Sequence, residues 1–149
     1  MSADVFVDTN VLVYVRDATE PAKQKQAQEW MDFLWHSRTG RTSFQVLQEF
    51  YVTVTEKLKP GLLPERARKD VQALFAWRPV TVDQRVVMEA WGIQSRYKLS
   101  WWDSLIVSAA LTSNCHYLLT EDLNTDHKLA TLQVISPFQT SPHDVGGGS

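Results

Sequence analysis

The strands this chain can offer are very short. Val5-Phe6-Val7, Tyr117-Leu118-Leu119 and Val134-Ile135 are brief apolar runs, and helical patterns fill the space between them. Short buried strands separated by helices predict an α/β fold: a short central parallel sheet with helices on both faces. The first helix follows Asp8-Thr9-Asn10 directly, through Val11–Val15, although β-branching weakens its helical preference. A second runs from Pro21 or Ala22 to about Ser37, with Ala27, Trp30, Met31, Leu34 and Trp35 on one face. Thr42 and Ser43 end a short strand and cap a helix from about Phe44 to Leu58, and Lys59-Pro60-Gly61 turns the chain. Pro64 starts the next helix, through Phe75. Pro79–Val82 reads as a strand, Asp83 caps a helix to Tyr97, and Ser100 caps a helix so apolar around Leu105–Ala110 that it must be central.

The 149 residues suit one domain, and 44% hydrophobic with 21% charged residues is an ordinary globular balance. The expected domain spans 1–138, and 139–149, ending in Gly-Gly-Gly-Ser, is expected to be a disordered tail. No apolar run approaches the ~20 residues of a membrane helix, and the N-terminus lacks signal-peptide features. With a single cysteine, Cys115, the expectation is a soluble cytoplasmic protein. A formal net charge of −2 disfavours a coat for nucleic acid but permits an enzyme that touches a short stretch of backbone. Small basic groups (Lys23 with Lys25, Arg38 with Arg41, Lys57 with Lys59, and Arg66, Arg68 and Lys69) read best as solvated faces.

Function in open parallel sheets collects beyond the carboxyl ends of the strands. Asp8 follows the first run there, and Asp122 follows Tyr117–Leu119 with Thr120 and Glu121 between. Each has a structural alternative. Asp8 and Asn10 suit a helix cap and Asp122 an Asx-turn. Asp103 in Ser100-Trp101-Trp102-Asp103 suits a capping box, and Glu49 suits a solvated face. Acids that converge need protons or a cation. Oxygen-only donors suit Mg²⁺ or Mn²⁺, ions fitted to phosphodiester cleavage.

Four segments then matter together: Val5-Phe6-Val7-Asp8-Thr9-Asn10, Ser43-Phe44-Gln45-Val46-Leu47-Gln48-Glu49-Phe50, Ser100-Trp101-Trp102-Asp103-Ser104-Leu105-Ile106 and Leu118-Leu119-Thr120-Glu121-Asp122-Leu123, followed by Val134-Ile135-Ser136-Pro137-Phe138. In this order, over about residues 4 to 138, the chain resembles the PIN-domain nucleases and, within them, the VapC-type toxins of bacterial toxin–antitoxin pairs. The resemblance implies a PIN-like α/β fold, a Mg²⁺- or Mn²⁺-dependent endoribonuclease, a homodimer and a cognate antitoxin. Asp8, Glu49, Asp103 and Asp122 match the family's acidic quartet, and Thr9, Asn10 and Thr120 its polar support. Glu121 could lend an oxygen or face water. Asn124 stands where some members carry another acid, with Asp126 as a substitute. The implied mechanism has Asp8, Asp103 and Asp122 hold one metal while Glu49 positions a second ion or the attacking water.

Rivals are weaker. A haloacid-dehalogenase phosphatase wants a second Asp where Asn10 stands, and a receiver domain wants a late Lys that the segment around Leu118–Asp122 lacks. A non-catalytic PIN-like binding module would be expected to have lost an acid, and an RNA-processing nuclease without an antitoxin keeps the same chemistry. Of Trp101 and Trp102, at least one is expected in the core, and the other could meet RNA. Trp30, Leu34, Trp35, Phe50 and Val54 read first as core and second as an antitoxin-docking face. The histidines have no zinc-ligand spacing, and Cys115 reads as a packing residue.

Overall fold

The computed structural model describes residues 4–124 and 127–146. Its sheet has five strands in the order β2-β1-β3-β5-β4: β1 (Val5–Val7), β2 (Gly40–Arg41), β3 (Tyr117–Leu119), β4 (Lys128–Leu129) and β5 (Leu132–Ile135). β1 is parallel to β2 and β3, with Val7 opposite Leu119, and β3 is parallel to β5, with Leu119 opposite Ile135. Only β4 runs antiparallel, against β5. Val5, Phe6, Val7, Leu118 and Leu119 are wholly buried. Successive strand residues face opposite ways, so this requires helices over both faces.

The helices are α1 (Thr9–Arg16), α2 (Pro21–Ser37), α3 (Phe44–Val52), α4 (Pro64–Leu74), α5 (Gln84–Tyr97), α6 (Trp101–Thr112) and the short α7 (Pro142–Gly146). Side chains start four of them. Asp8 accepts from Thr9 N, Ser43 from Val46 N, Asp83 from Val86 N and Ser100 from Asp103 N. Ser104 through Ala110 are all buried in α6, so that helix is central. Its two buried serines are satisfied, Ser104 by the Ser100 carbonyl and Ser108 by the Val86 carbonyl, each at 2.7 Å. No helix among the described residues is long and apolar enough to cross a membrane.

The structure departs from the sequence reading in four places. The third helix stops being α-helical at Val52 and widens into a π-turn over Thr53–Lys57, where the Thr55 hydroxyl takes the Tyr51 carbonyl at 2.7 Å. Such back-bonding competes with the helical ladder. The Pro79–Val82 strand shrinks to one bridge between Val80 and Ser43, because Pro79 has no N–H to extend it. Lys128–Leu129 forms a hairpin strand that carries no glycine signal; the positive-φ position is Ala130 at 57°. The segment assigned to a disordered tail carries α7, and residues 147–149 lie outside the described residues.

The alternative docking face is also corrected. Trp30, Leu34, Phe50 and Val54 are buried in the core, and Trp35 alone of that set is substantially exposed, at 40%. Trp101 packs against Val86, Ala90 and Leu105, while Trp102 is 63% exposed. Cys115 is buried, and burial pushes its thiol up to about 11, as expected of a packing residue.

One packing contact gives a direct test. A Cβ on Gly40 would stand 2.4 Å from the Trp77 ring, closer than van der Waals contact allows. Gly40→Ala is expected to cost about 1–3 kcal/mol through this overpacking. Urea denaturation reads it, and an unchanged midpoint would mean that the indole moves aside freely.

Candidate active site

Parallel pairing of β1 with β3 brings Asp8 and Thr120 to the same carboxyl edge of the sheet. Asp8 is buried, and its two oxygens do different work. Oδ1 accepts from Thr9 N at 2.7 Å, capping α1, and Oδ2 accepts from the Thr120 hydroxyl at 2.9 Å. The same hydroxyl oxygen accepts from Asn10 Nδ2 at 3.0 Å and from Asp122 N at 3.1 Å. Asn10 completes the clamp: Nδ2 donates to Asp122 Oδ2 at 3.1 Å, and Oδ1 accepts from Glu121 N at 3.0 Å. Asn10 is therefore a bridge between α1 and the loop after β3, not a helix cap. Asp122 is likewise held by Asn10.

Glu49 reaches the cluster from α3. Oε2 accepts from the Thr9 hydroxyl at 2.8 Å and Oε1 from Gln45 Nε2 at 3.1 Å, so the side chain is half-buried and fixed. Asp103 sits in the first turn of α6, where its N–H donates to Ser100 Oγ at 3.1 Å. Among the described residues no bond returns from its carboxylate to the Ser100 N–H, so the capping box is only half formed.

The electrostatics tie the four acids together. Burial pushes Asp8 up to about 6. The Thr9 N–H and Thr120 hydroxyl oppose this, and the charges of Asp122 and Glu49 add to it. Burial also raises Asp103. The Ser100 hydroxyl opposes that rise, and the same two charges reinforce it. Asp122 and Glu49 thus act on both the buried Asp8 and the half-buried Asp103. Among the described residues none of the four is in an ion pair with Lys or Arg.

This donor set fits a hard divalent cation: carboxylate oxygens only, no ion-paired Lys or Arg among the described residues, and one acid pushed toward neutrality by burial and, to a lesser extent, by its acidic neighbours. Among the described residues no three acids are already drawn close enough to grip an ion. The hydrogen bonds of Thr9, Asn10 and Thr120 fix Asp8, Glu49 and Asp122. A cavity of about 770 Å³ opens beside them, lined by Thr9, Asn10, Tyr14, Gln48, Glu49 and Asp122, with Lys57 of the π-turn also in its wall.

Glu121 lies in the wall of the same cavity and is held there by two protein donors. Its carboxylate accepts from the Tyr14 hydroxyl and from Lys23 Nζ, both at 2.6 Å. Burial raises it, but those bonds and the Lys23 charge win, and it lies below its ordinary range. Lys23 also stands 5.1 Å from the ring centres of both Tyr14 and Phe138. The Ser136-Pro137-Phe138 motif thereby helps lock the loop that carries Asp122. Sequence reasoning missed Tyr14 and Lys23 because each looks like an ordinary helix-surface residue. Asn124 is exposed, and Asp126 lies outside the described residues.

A PIN domain family model matches residues 5–128, most of the chain and all four acids. The chain belongs to the PIN domain family. Solved structures similar to this PIN domain include a VapBC complex and two whose titles name a toxin. A DNA-bound VapBC from Salmonella typhimurium has a TM-score of 0.64 at 15% identity, covering 91% of this chain and 98% of that one. A toxin–antitoxin complex from Klebsiella pneumoniae has a TM-score of 0.62 at 14% identity, covering 92% and 100%. VapC20 from Mycobacterium tuberculosis, titled a sarcin-ricin loop cleaving toxin, has a TM-score of 0.56 at 20% identity, covering 77% and 87%. At such identities the likeness is one of fold. No curated protein matches this PIN domain in sequence.

Proposed function

We propose that this PIN domain is a divalent-metal-dependent endoribonuclease that acts as the toxin of a toxin–antitoxin pair. The observation that carries the proposal is that the charges of Asp122 and Glu49 bear on both Asp8 and Asp103, with no ion-paired cation on any of the four among the described residues. Such an arrangement is costly to a fold and useful to an enzyme that needs a cation. Asp8, Asp103 and Asp122 would hold Mg²⁺ or Mn²⁺, which supplies Lewis acidity and a water acidic enough to attack at neutral pH. Glu49, fixed by Thr9 and Gln45, would orient an attacking water and accept its proton. The water oxygen would bond to phosphorus as the P–O3′ bond breaks, and the departing 3′ oxygen would take a proton from solvent, leaving a 5′-phosphate and a 3′-hydroxyl. Lys57 in the cavity wall offers its charge to the RNA backbone.

The toxin reading is supported by the toxin titles of the similar folds. It also has a chemical rationale. A guanidinium can bridge two carboxylates, so an arginine on an antitoxin segment would occupy the place of the cation and silence the site. A homodimer in the cytoplasm belongs to the same proposal.

The test is cleavage of structured RNA by purified protein. Cutting is expected with Mg²⁺ or Mn²⁺, is expected to stop in chelator, and is expected to fall at least ~10³-fold in Asp103→Asn, as loss of a group acting on the transition state would cause. Full activity in chelator would refute it.

A further inference from the structure

The opposite end of β1 carries a second charged site. There a cavity of about 400 Å³ is lined by Asp4, Trp35, Arg38, Arg41, Trp77 and Arg78, among others. Three arginines in one hollow are unusual in a chain of net charge −2. None is in an ion pair among the described residues, although Asp4 shares the wall. Arg41 Nε is shut off from solvent and has no acceptor among the described residues. A buried donor without a partner costs free energy, and here that cost comes with uncompensated positive charge. The chain brings Arg38 and Arg78 to the rim on left-handed backbone, at φ 59° and 52°, where each terminates a helix.

We propose that this arginine pocket binds a nucleotide unit of an RNA strand, the guanidiniums taking phosphate and Trp35 taking a base. The guanidinium fork matches phosphate oxygens. Trp35 is 40% exposed and rests on Trp77 with ring centres 5.2 Å apart, so its indole is supported and open for stacking. An acidic peptide would use the arginines but leave the indole idle, which is why RNA is favoured. The pocket lies about 13 Å from Asp8, the length of β1 and its flanks at ~3.3 Å per residue. β2, which carries Arg41, is the outermost strand and pairs with β1, the strand that leads to Asp8. The proposal deepens the ribonuclease reading and rests on RNA being the substrate. It gives the site an anchor that selects longer RNA over a dinucleotide.

The test is fluorescence anisotropy with a labelled single-stranded oligoribonucleotide, in chelator so that nothing is cut, across a salt series. Arg38→Asn with Arg78→Asn keeps residues that tolerate left-handed backbone and removes two charges. The pair is expected to weaken binding about tenfold and to flatten the salt slope by about 1.4, two phosphates at ~0.7 each on a single strand. Trp35→Leu is expected to weaken binding with the slope unchanged, because stacking releases no counterions. Lys25→Gln with Lys69→Gln, an equal charge loss elsewhere, is expected to change little. Circular dichroism checks each fold. Equal losses in both double variants would overturn the pocket in favour of general charge attraction. A polyglutamate peptide whose binding depends on the two arginines, with RNA indifferent to them, would overturn it in favour of an acidic protein partner. Cleavage of RNA by wild type with an indifferent pocket removes the pocket alone. Pocket-dependent RNA binding without any cleavage supports the pocket and removes the nuclease reading.

Discussion

In chelator, Asp8→Asn is expected to make the domain more stable than wild type by about 2 kcal/mol, and with Mg²⁺ or Mn²⁺ present it is expected to abolish cleavage. The folded Asp8 titrates near 6, against 3.8 for the ordinary group. A carboxyl that binds its proton more tightly when folded penalises the fold wherever it is ionised in both states. The penalty is full above about 6, shrinks as pH falls through the window from about 6 to 3.8, and is gone below it. Two pKa units correspond to about 3 kcal/mol. Asparagine removes the charge but must set an NH₂ against one of two donors, Thr9 N–H or the Thr120 hydroxyl, which returns about 1 kcal/mol. Thermal and urea melts in chelator measure the net gain. The wild type is also expected to gain from this group on moving from pH 7 to pH 5, and the variant is not. A less stable Asp8→Asn protein would mean that the cap to Thr9 matters more than the buried charge.

Thr120→Val is expected to be the most damaging conservative change in the site, costing about 2–4 kcal/mol. Valine keeps the shape and deletes one hydroxyl, and that hydroxyl joins Asp8, Asn10 and Asp122. Asp8 Oδ2 would be left buried without a donor and Asp122 N without an acceptor. The Thr120 bond holds Asp8 down, so its loss raises Asp8 further and enlarges the stability gain on acidification. Cleavage is expected to fall at least ~10-fold as the loop carrying Asp122 loosens. Thr120→Ser, which retains the hydroxyl, is expected to recover most of both losses. A valine variant with wild-type melts and wild-type cleavage would show that Asn10 holds the loop unaided.

How much of this was legible in the sequence depends on the range of each interaction. Caps at Asp8, Ser43, Asp83 and Ser100 lie within three residues of what they bind, so the helix starts were readable. Asp8 at the end of a short apolar strand was readable because parallel strands aim their carboxyl ends at one edge. Glu49 was not separable from a surface residue, because its partner Thr9 is forty positions away. The Lys23–Glu121 pair joins residues about a hundred apart, and nothing local to Lys23 distinguishes it from Lys25. The β4–β5 hairpin turns on a left-handed alanine, where sequence rules look for glycine or asparagine. The arginine pocket was read as a solvated face for the same reason: Arg38 and Arg41 are near in sequence, but Arg78, Trp77 and Asp4 come from elsewhere.

Four carboxylates distant along the chain are expected to share one capacity for a divalent ion. Manganese binding, followed by the electron paramagnetic resonance of free Mn²⁺ during titration, tests it most directly. Wild type is expected to take up Mn²⁺ at neutral pH, with affinity reduced at least ~10-fold in each of Asp8→Asn, Glu49→Gln, Asp103→Asn and Asp122→Asn. Uptake that is absent in wild type, or unaltered in all four variants, would contradict the account.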